Sequence, residues 1–185
     1  MIAHTIELAR REPIATAAIG IAAIGLATIA GFFFFQIVLG YPPCPLCLEQ
    51  RYAYYIAVPL AAMILLGLSV GSQRKVLMLA LLAVAAAMLW NAGLGVYHSG
   101  IEWKWWPGPQ DCSGTIPNLT GGGTLLEQMQ KARVIRCDEA AWRLLGLSLA
   151  GYNVLISLAL AGIAVWGALA GRNPAVDQGS SSTSQ

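Results

Sequence analysis

The chain of 185 residues is 57% hydrophobic and only 11% charged, against roughly 25% charged residues in a soluble domain. Its mean hydropathy of +0.62 comes from long runs without an ionic side chain, which excludes an ordinary soluble domain and points to an integral membrane protein. Eleven basic and nine acidic residues, a net charge of +2, leave no basic stripe to neutralise phosphates, so nucleic-acid binding is excluded as well.

The first uncharged run, Pro13 to Leu48, follows Arg10-Arg11. Its apolar stretch is too long for a signal peptide and no A-x-A-like site follows it, so it reads as a retained span over about residues 14–35. Gly40-Tyr41-Pro42-Pro43 ends the helical pattern, and a second span is predicted over about 52–71. A very short turn, Ser72-Gln73-Arg74-Lys75, leads to a third span over about 76–97, and a fourth covers about 144–170 before Gly171-Arg172-Asn173-Pro174. Each uncharged run exceeds the roughly 20 residues needed to cross about 30 Å of hydrocarbon. The fold class expected is therefore an all-α, four-transmembrane-helix bundle, a single membrane domain. Its outer loops are 36–51 and 98–143, and the Ser/Gly/Gln-rich tail 175–185 is too polar to fold. In the second loop, Leu125, Leu126, Met129, Val134 and Ile135 alternate with Glu127, Gln128, Lys131 and Arg133, as in a short interfacial helix.

Four spans place both termini on one side. Arg10, Arg11, Arg74, Lys75 and Arg172 crowd the helix ends there, and the positive-inside rule makes that side cytoplasmic. Six basic residues on the other side are spread through longer loops and balanced by acids. Tyr41, Tyr52, Tyr54, Tyr55, Tyr97, Trp103, Trp105, Trp106 and Trp142 gather at the outer interface, as an aromatic belt in which one or two rings are free to line a pocket. Asn91 and Asn153 lie within spans, where an amide ordinarily bonds a neighbouring helix.

All four cysteines fall in the outer loops: Cys44 and Cys47 in the first, Cys112 and Cys137 in the second. Packing cysteines would be scattered through the apolar helices, whereas an even number on one oxidising face implies disulfides. The loop of Cys44-Pro45-Leu46-Cys47 is too short for its closure to stabilise much, so this pair suits switching better than bracing. Cys112 and Cys137 enclose 24 residues, with Gly121-Gly122-Gly123 among them, and a structural staple is as compatible with that spacing as an exchanging pair. Arg51 follows Cys47 by four residues, so both can share a helix face, and a guanidinium and a helix N-terminus each favour thiolate. Glu49 and Gln50 read as a solvated approach, and His98 as a polar anchor at the interface. A four-cysteine metal site lacks the second short spacing. A non-enzymatic tetraspan protein braced by two disulfides is the alternative from another class; Arg51 speaks against it, since a bracing bond needs no thiolate stabiliser.

Together these residues resemble the bacterial disulfide-bond formation protein B (DsbB) family. The resemblance rests on four spans, C-P-L-C followed by L-E-Q-R-Y, V-Y-H at the end of the third span, and C-D-E-A-A-W-R-L-L-G-L at the fourth. It implies an inner-membrane thiol:quinone oxidoreductase with catalytic Cys44, Cys47, Cys112 and Cys137. A periplasmic DsbA-like thioredoxin-fold oxidase would deliver electrons to Cys112–Cys137, and Cys44–Cys47 would pass them to ubiquinone or menaquinone from the membrane pool. Arg51 and His98 would bind the quinone, and no metal is implied. The termini would be cytoplasmic and the cysteine loops periplasmic.

Overall fold

The computed structural model describes residues 12–109 and 137–172. Among them are four helices long and apolar enough to cross a membrane. Helix α1 (Pro13–Phe33) runs into a π-helical turn, Phe34–Val38; α2 spans Pro45–Ser69, α3 Arg74–Glu102 and α4 Leu149–Ala170. Proline opens α1 and α2, where its missing N–H costs nothing and its fixed φ favours the first turn. A two-stranded hairpin, β1 (Arg143–Leu144) and β2 (Leu147–Ser148), precedes α4.

The helices reach further on the cysteine side than their apolar runs. The second starts at Pro45, not near Tyr52, and the third continues to Glu102, past His98. Charge and polarity set the expected boundaries, yet neither interrupts backbone hydrogen bonding. Cys47, Gln50, Arg51 and His98 are consequently helical, held rigidly rather than on loops. The fourth helix begins five residues later than expected, because Leu145 and Gly146 both adopt positive φ, 51° and 82°, the two-residue hairpin turn that forces chain reversal. Ser148 then caps α4 by accepting from the Gly151 N–H at 3.2 Å. The interfacial helix expected near 125–135 and the tail 175–185 lie outside the described residues.

The helices form a ring in which α1 packs on α2 and α4, and α3 on α2 and α4, while α1 and α3 scarcely touch. Its core is built largely from alanine, including Ala17, Ala18, Ala57, Ala61, Ala161 and Ala164, while Ile37, Leu66, Leu79 and Leu155 face outward. This inversion of the soluble pattern suits a bilayer, where lipid solvates large apolar side chains and small ones let backbones approach. Gly167 on α4 shows how close: a β-carbon there would collide with the Ala17 β-carbon and lie 3.2 Å from Leu81 Cδ1. Gly167→Val is expected to cost about 1–3 kcal/mol by overpacking, read as a lower unfolding midpoint in detergent. An unchanged midpoint would show that α1 and α4 are not apposed there.

Candidate active site

At the end of the bundle where α1 and α3 finish and α2 and α4 begin, the chain between the π turn and α2 delivers Cys44 to the α2 N-cap. Its Sγ accepts from the Cys47 N–H at 3.2 Å, so the orphan donors of the helix start act on Cys44 rather than on Cys47. The two sulfurs are 2.7 Å apart and both are free thiols; His98 Nε2 lies 3.7 Å from Cys44 Sγ. Hydrogen bonding from the Cys47 thiol lowers the Cys44 pKa from 9.0 to about 5 against the opposing effect of burial, with further help from His98. In the reduced protein, alkylation of Cys44 is expected to stay on a plateau at neutral pH and to fall only as pH drops through about 5. The thiolate's contribution to stability is fully present above pH 9 and is lost as pH falls through about 5. An alkylation rate that keeps rising toward pH 9 would contradict this.

Cys44, Cys47 and His98 place their donor atoms within 4.8 Å of one another. Two thiolates sharing a tetrahedral ion with bonds of about 2.3 Å would stand roughly 3.8 Å apart, so the observed sulfur separation fits a disulfide-forming pair better than two ligands of one metal ion.

Cys47 faces a recess, ≈ 70 Å³ in volume, bounded among others by Gln36, Arg51 and His98. Arg51 is turned into the protein: Nη1 donates to Gln36 Oε1 at 2.7 Å, and the guanidinium lies 5.3 Å from the Phe32 ring centre and 5.8 Å from that of Phe33. Its Nε is buried and has no hydrogen-bond partner among the described residues. Phe32, Phe35 and Leu149 also line a larger apolar groove, ≈ 460 Å³, which runs between α1 and α4 past Ile24, Thr28 and Ile156. Trp142, a member of the expected aromatic belt, lines this groove together with Tyr152, which the sequence reading did not single out.

Behind the cysteines runs a buried polar chain. Gln50 Nε2 meets His98 Nδ1 at 3.0 Å, Asn153 Nδ2 donates to Gln50 Oε1 at 2.8 Å, and Tyr54 Oη donates to Asn153 Oδ1 at 2.6 Å. Asn91 Nδ2 donates to Ser157 Oγ at 2.9 Å and to Asn153 Oδ1 at 3.3 Å. Asn91 and Asn153 thus bond neighbouring helices, as intramembrane amides should. Gln50 corrects the sequence reading: it is not a solvated approach but is buried against His98. Glu102, a further buried group, puts Oε1 3.8 Å from His98 Nε2. Both were legible only as helix spacings, Gln50 three residues after Cys47 and Glu102 four after His98; Gln36 carried no comparable signal, and Tyr54, expected in the interfacial belt, is instead fully buried between helices, where Asn153 and Ser157 take its hydroxyl.

Cys137 is disulfide-bonded and fully buried, packed in one cluster with Cys44, Leu46, Ile101 and Cys47. Beside it, Lys104 donates to Asp138 Oδ2 at 2.6 Å. Cys112 lies outside the described residues. The structure therefore brings Cys44, Cys47, His98 and Cys137 to one end of the bundle, with Arg51 one turn below Cys47.

A family model described as "Disulfide bond formation protein DsbB" matches residues 14–167. Among curated proteins the chain is 37% identical over 84 residues to "Disulfide bond formation protein B 1" of Pseudomonas fluorescens, covering 45% of this chain and 46% of that protein. It is 30% identical to "Disulfide bond formation protein B" of Psychrobacter sp., covering 73% of this chain and 79% of the relative. The protein of that name from Albidiferax ferrireducens is 29% identical, with 77% and 83% covered. The chain thus spans about half the length of the Pseudomonas relatives it matches, and more of the others. No solved structure matches it.

Proposed function

Because the chain belongs to the DsbB family of disulfide bond formation proteins, we propose that it is a thiol:quinone oxidoreductase of the bacterial inner membrane. In this reading it reoxidises a periplasmic DsbA-like thioredoxin-fold oxidase and passes the electrons to membrane ubiquinone or menaquinone. That such systems keep the periplasm oxidising is a property of the family rather than a deduction from these residues. The observation that carries the reading is the placement of the two inner cysteines. Both pack in the cluster that holds Cys137, and Cys47, alone of the two, also borders the recess that shares walls with the apolar groove.

Electrons enter when the partner's thiolate attacks the Cys112–Cys137 disulfide at Cys112. That attack forms a mixed disulfide with Cys112 and releases Cys137 as a thiolate, which attacks Cys44 and frees Cys47. The partner's second thiolate then displaces Cys112 and the partner leaves oxidised, while Cys112 attacks the Cys137–Cys44 bond, which regenerates the outer disulfide and leaves the inner pair reduced. Two thiols and one quinone then give one disulfide and one quinol, so two electrons and two protons balance. The quinone, a substrate here, supplies an acceptor soluble in lipid. The groove between α1 and α4 suits its apolar tail, and the unpartnered Arg51 Nε suits its carbonyl oxygen. Arg51 stabilises the negative charge gathering on that oxygen, and His98, which bounds the same recess, positions the ring by packing against it. Arg74, Lys75 and Arg172 at the opposite end orient that end to the cytoplasm and the cysteines to the periplasm.

The test is quinone absorbance on mixing the purified protein with a reduced thioredoxin-fold oxidase. Catalytic loss of quinone is expected; an intact, disulfide-bonded protein that leaves the quinone unchanged would overturn the proposal.

A further inference from the structure

Gln50, His98, Asn91, Asn153, Ser157 and Tyr54 are each at most 4% exposed, so water does not complete their hydrogen bonds and their donors and acceptors answer one another, with Asn91 Oδ1 left without a partner. The matching runs in one direction. The Tyr54 hydroxyl and the Asn91 amide nitrogen both converge on Asn153 Oδ1, at 2.6 and 3.3 Å. The Asn153 NH2 group therefore faces the other way, where it donates to Gln50 Oε1 at 2.8 Å. With its oxygen engaged, Gln50 presents its own NH2 group to His98 Nδ1 at 3.0 Å. An amide NH2 only donates, so Nδ1 must offer its lone pair, and the single proton of the neutral imidazole sits on Nε2.

From this chain we infer that Gln50 is a positioning residue, which fixes His98 in the Nε2–H tautomer and aims that N–H at the Cys44 sulfur. Nε2 lies 3.7 Å from Cys44 Sγ and 3.8 Å from Glu102 Oε1, two groups that accept a hydrogen bond when ionised. His98 then meets Cys44 as a hydrogen-bond donor through Nε2, while its Nδ1 stays engaged by Gln50. Reversing the chain would require Gln50, Asn153 and Asn91 all to rotate together, and the buried position where Asn91 Oδ1 now lies without a partner would then hold an NH2 group with two unsatisfied donors. The tautomer follows from hydrogen bonding alone; its use in thiol exchange rests on the function proposed above.

The test is NMR of the full chain in detergent, with both histidine ring nitrogens isotopically labelled, at about pH 8, where an ordinary imidazole is neutral. His4 is the only other histidine, and His4→Gln assigns the signals. Wild type is expected to show an unprotonated Nδ1 and a protonated Nε2. Gln50→Glu is nearly isosteric but places a carboxylate, an acceptor only, opposite Nδ1, so the unprotonated Nδ1 resonance should disappear. A protonated Nδ1 in wild type, or an unchanged Nδ1 in a folded Gln50→Glu variant, would overturn the inference. Should Gln50→Glu not fold, the wild-type spectrum still decides. The spectrum needs no turnover, so an absence of quinone reduction would refute the proposed function and leave this assignment standing.

Discussion

Cys47→Ser is expected to reduce quinone turnover by at least about a thousandfold, since it removes the sulfur that borders the recess and a serine hydroxyl neither forms the disulfide nor ionises near neutral pH. The fold should survive. Sulfur and oxygen differ little in size, and Cys47 is only partly buried beside the small cluster of Cys44, Leu46, Ile101 and Cys137. A single mixing experiment with circular dichroism as a control reads both quantities. Retained turnover in a folded Cys47→Ser protein, or in the corresponding Cys44→Ser protein, would remove the inner pair from the electron path.

Arg51→Ala should separate the two half-reactions. Loss of one preorganised donor to a developing negative charge typically costs about 100- to 1000-fold, and that loss is expected in quinone reduction. Thiol exchange at the outer disulfide should slow by less than about tenfold, because the guanidinium is engaged with Gln36, Phe32 and Phe33 rather than with the Cys44 and Cys137 cluster. Stopped-flow measurement of each half-reaction checks this, and equal losses in both would take Arg51 out of the quinone site. Gln36 loses the partner of its Oε1 in this variant, so Gln36→Leu in the same background controls for the orphaned acceptor.

Much of this protein is legible along the chain. Long uncharged runs announce four spans because a bilayer demands that every backbone polar group be satisfied within a helix, and four helices long and apolar enough to cross it lie among the described residues. All four cysteines lie outside the spans expected from the sequence, where packing alone would have scattered them, although the structure places Cys47 in the first turn of α2. The i,i+4 spacing of Cys47 and Arg51 likewise follows from helix geometry once the helix is known to begin at Pro45.

Other features are contacts between distant segments, which no local pattern encodes. Whether Arg51 turned to the lipid interface or into the protein depended on Gln36 and two phenylalanines from α1. Gln50 resembles any polar residue near a helix start until Asn153, 103 positions away, occupies its oxygen. The helix N-terminus acts on Cys44 rather than Cys47 because Cys44 itself takes the capping position, a difference of one turn that depends on backbone conformation. Composition and periodicity by themselves determined the class of the protein and its four helices long and apolar enough to cross a membrane, because hydrophobic solvation and helical repeat act residue by residue. Only the tertiary structure decided which sulfur borders the recess, that both inner cysteines pack with Cys137, and which way the buried amides point, because these are contacts between distant segments and donors cut off from water must find acceptors across helices.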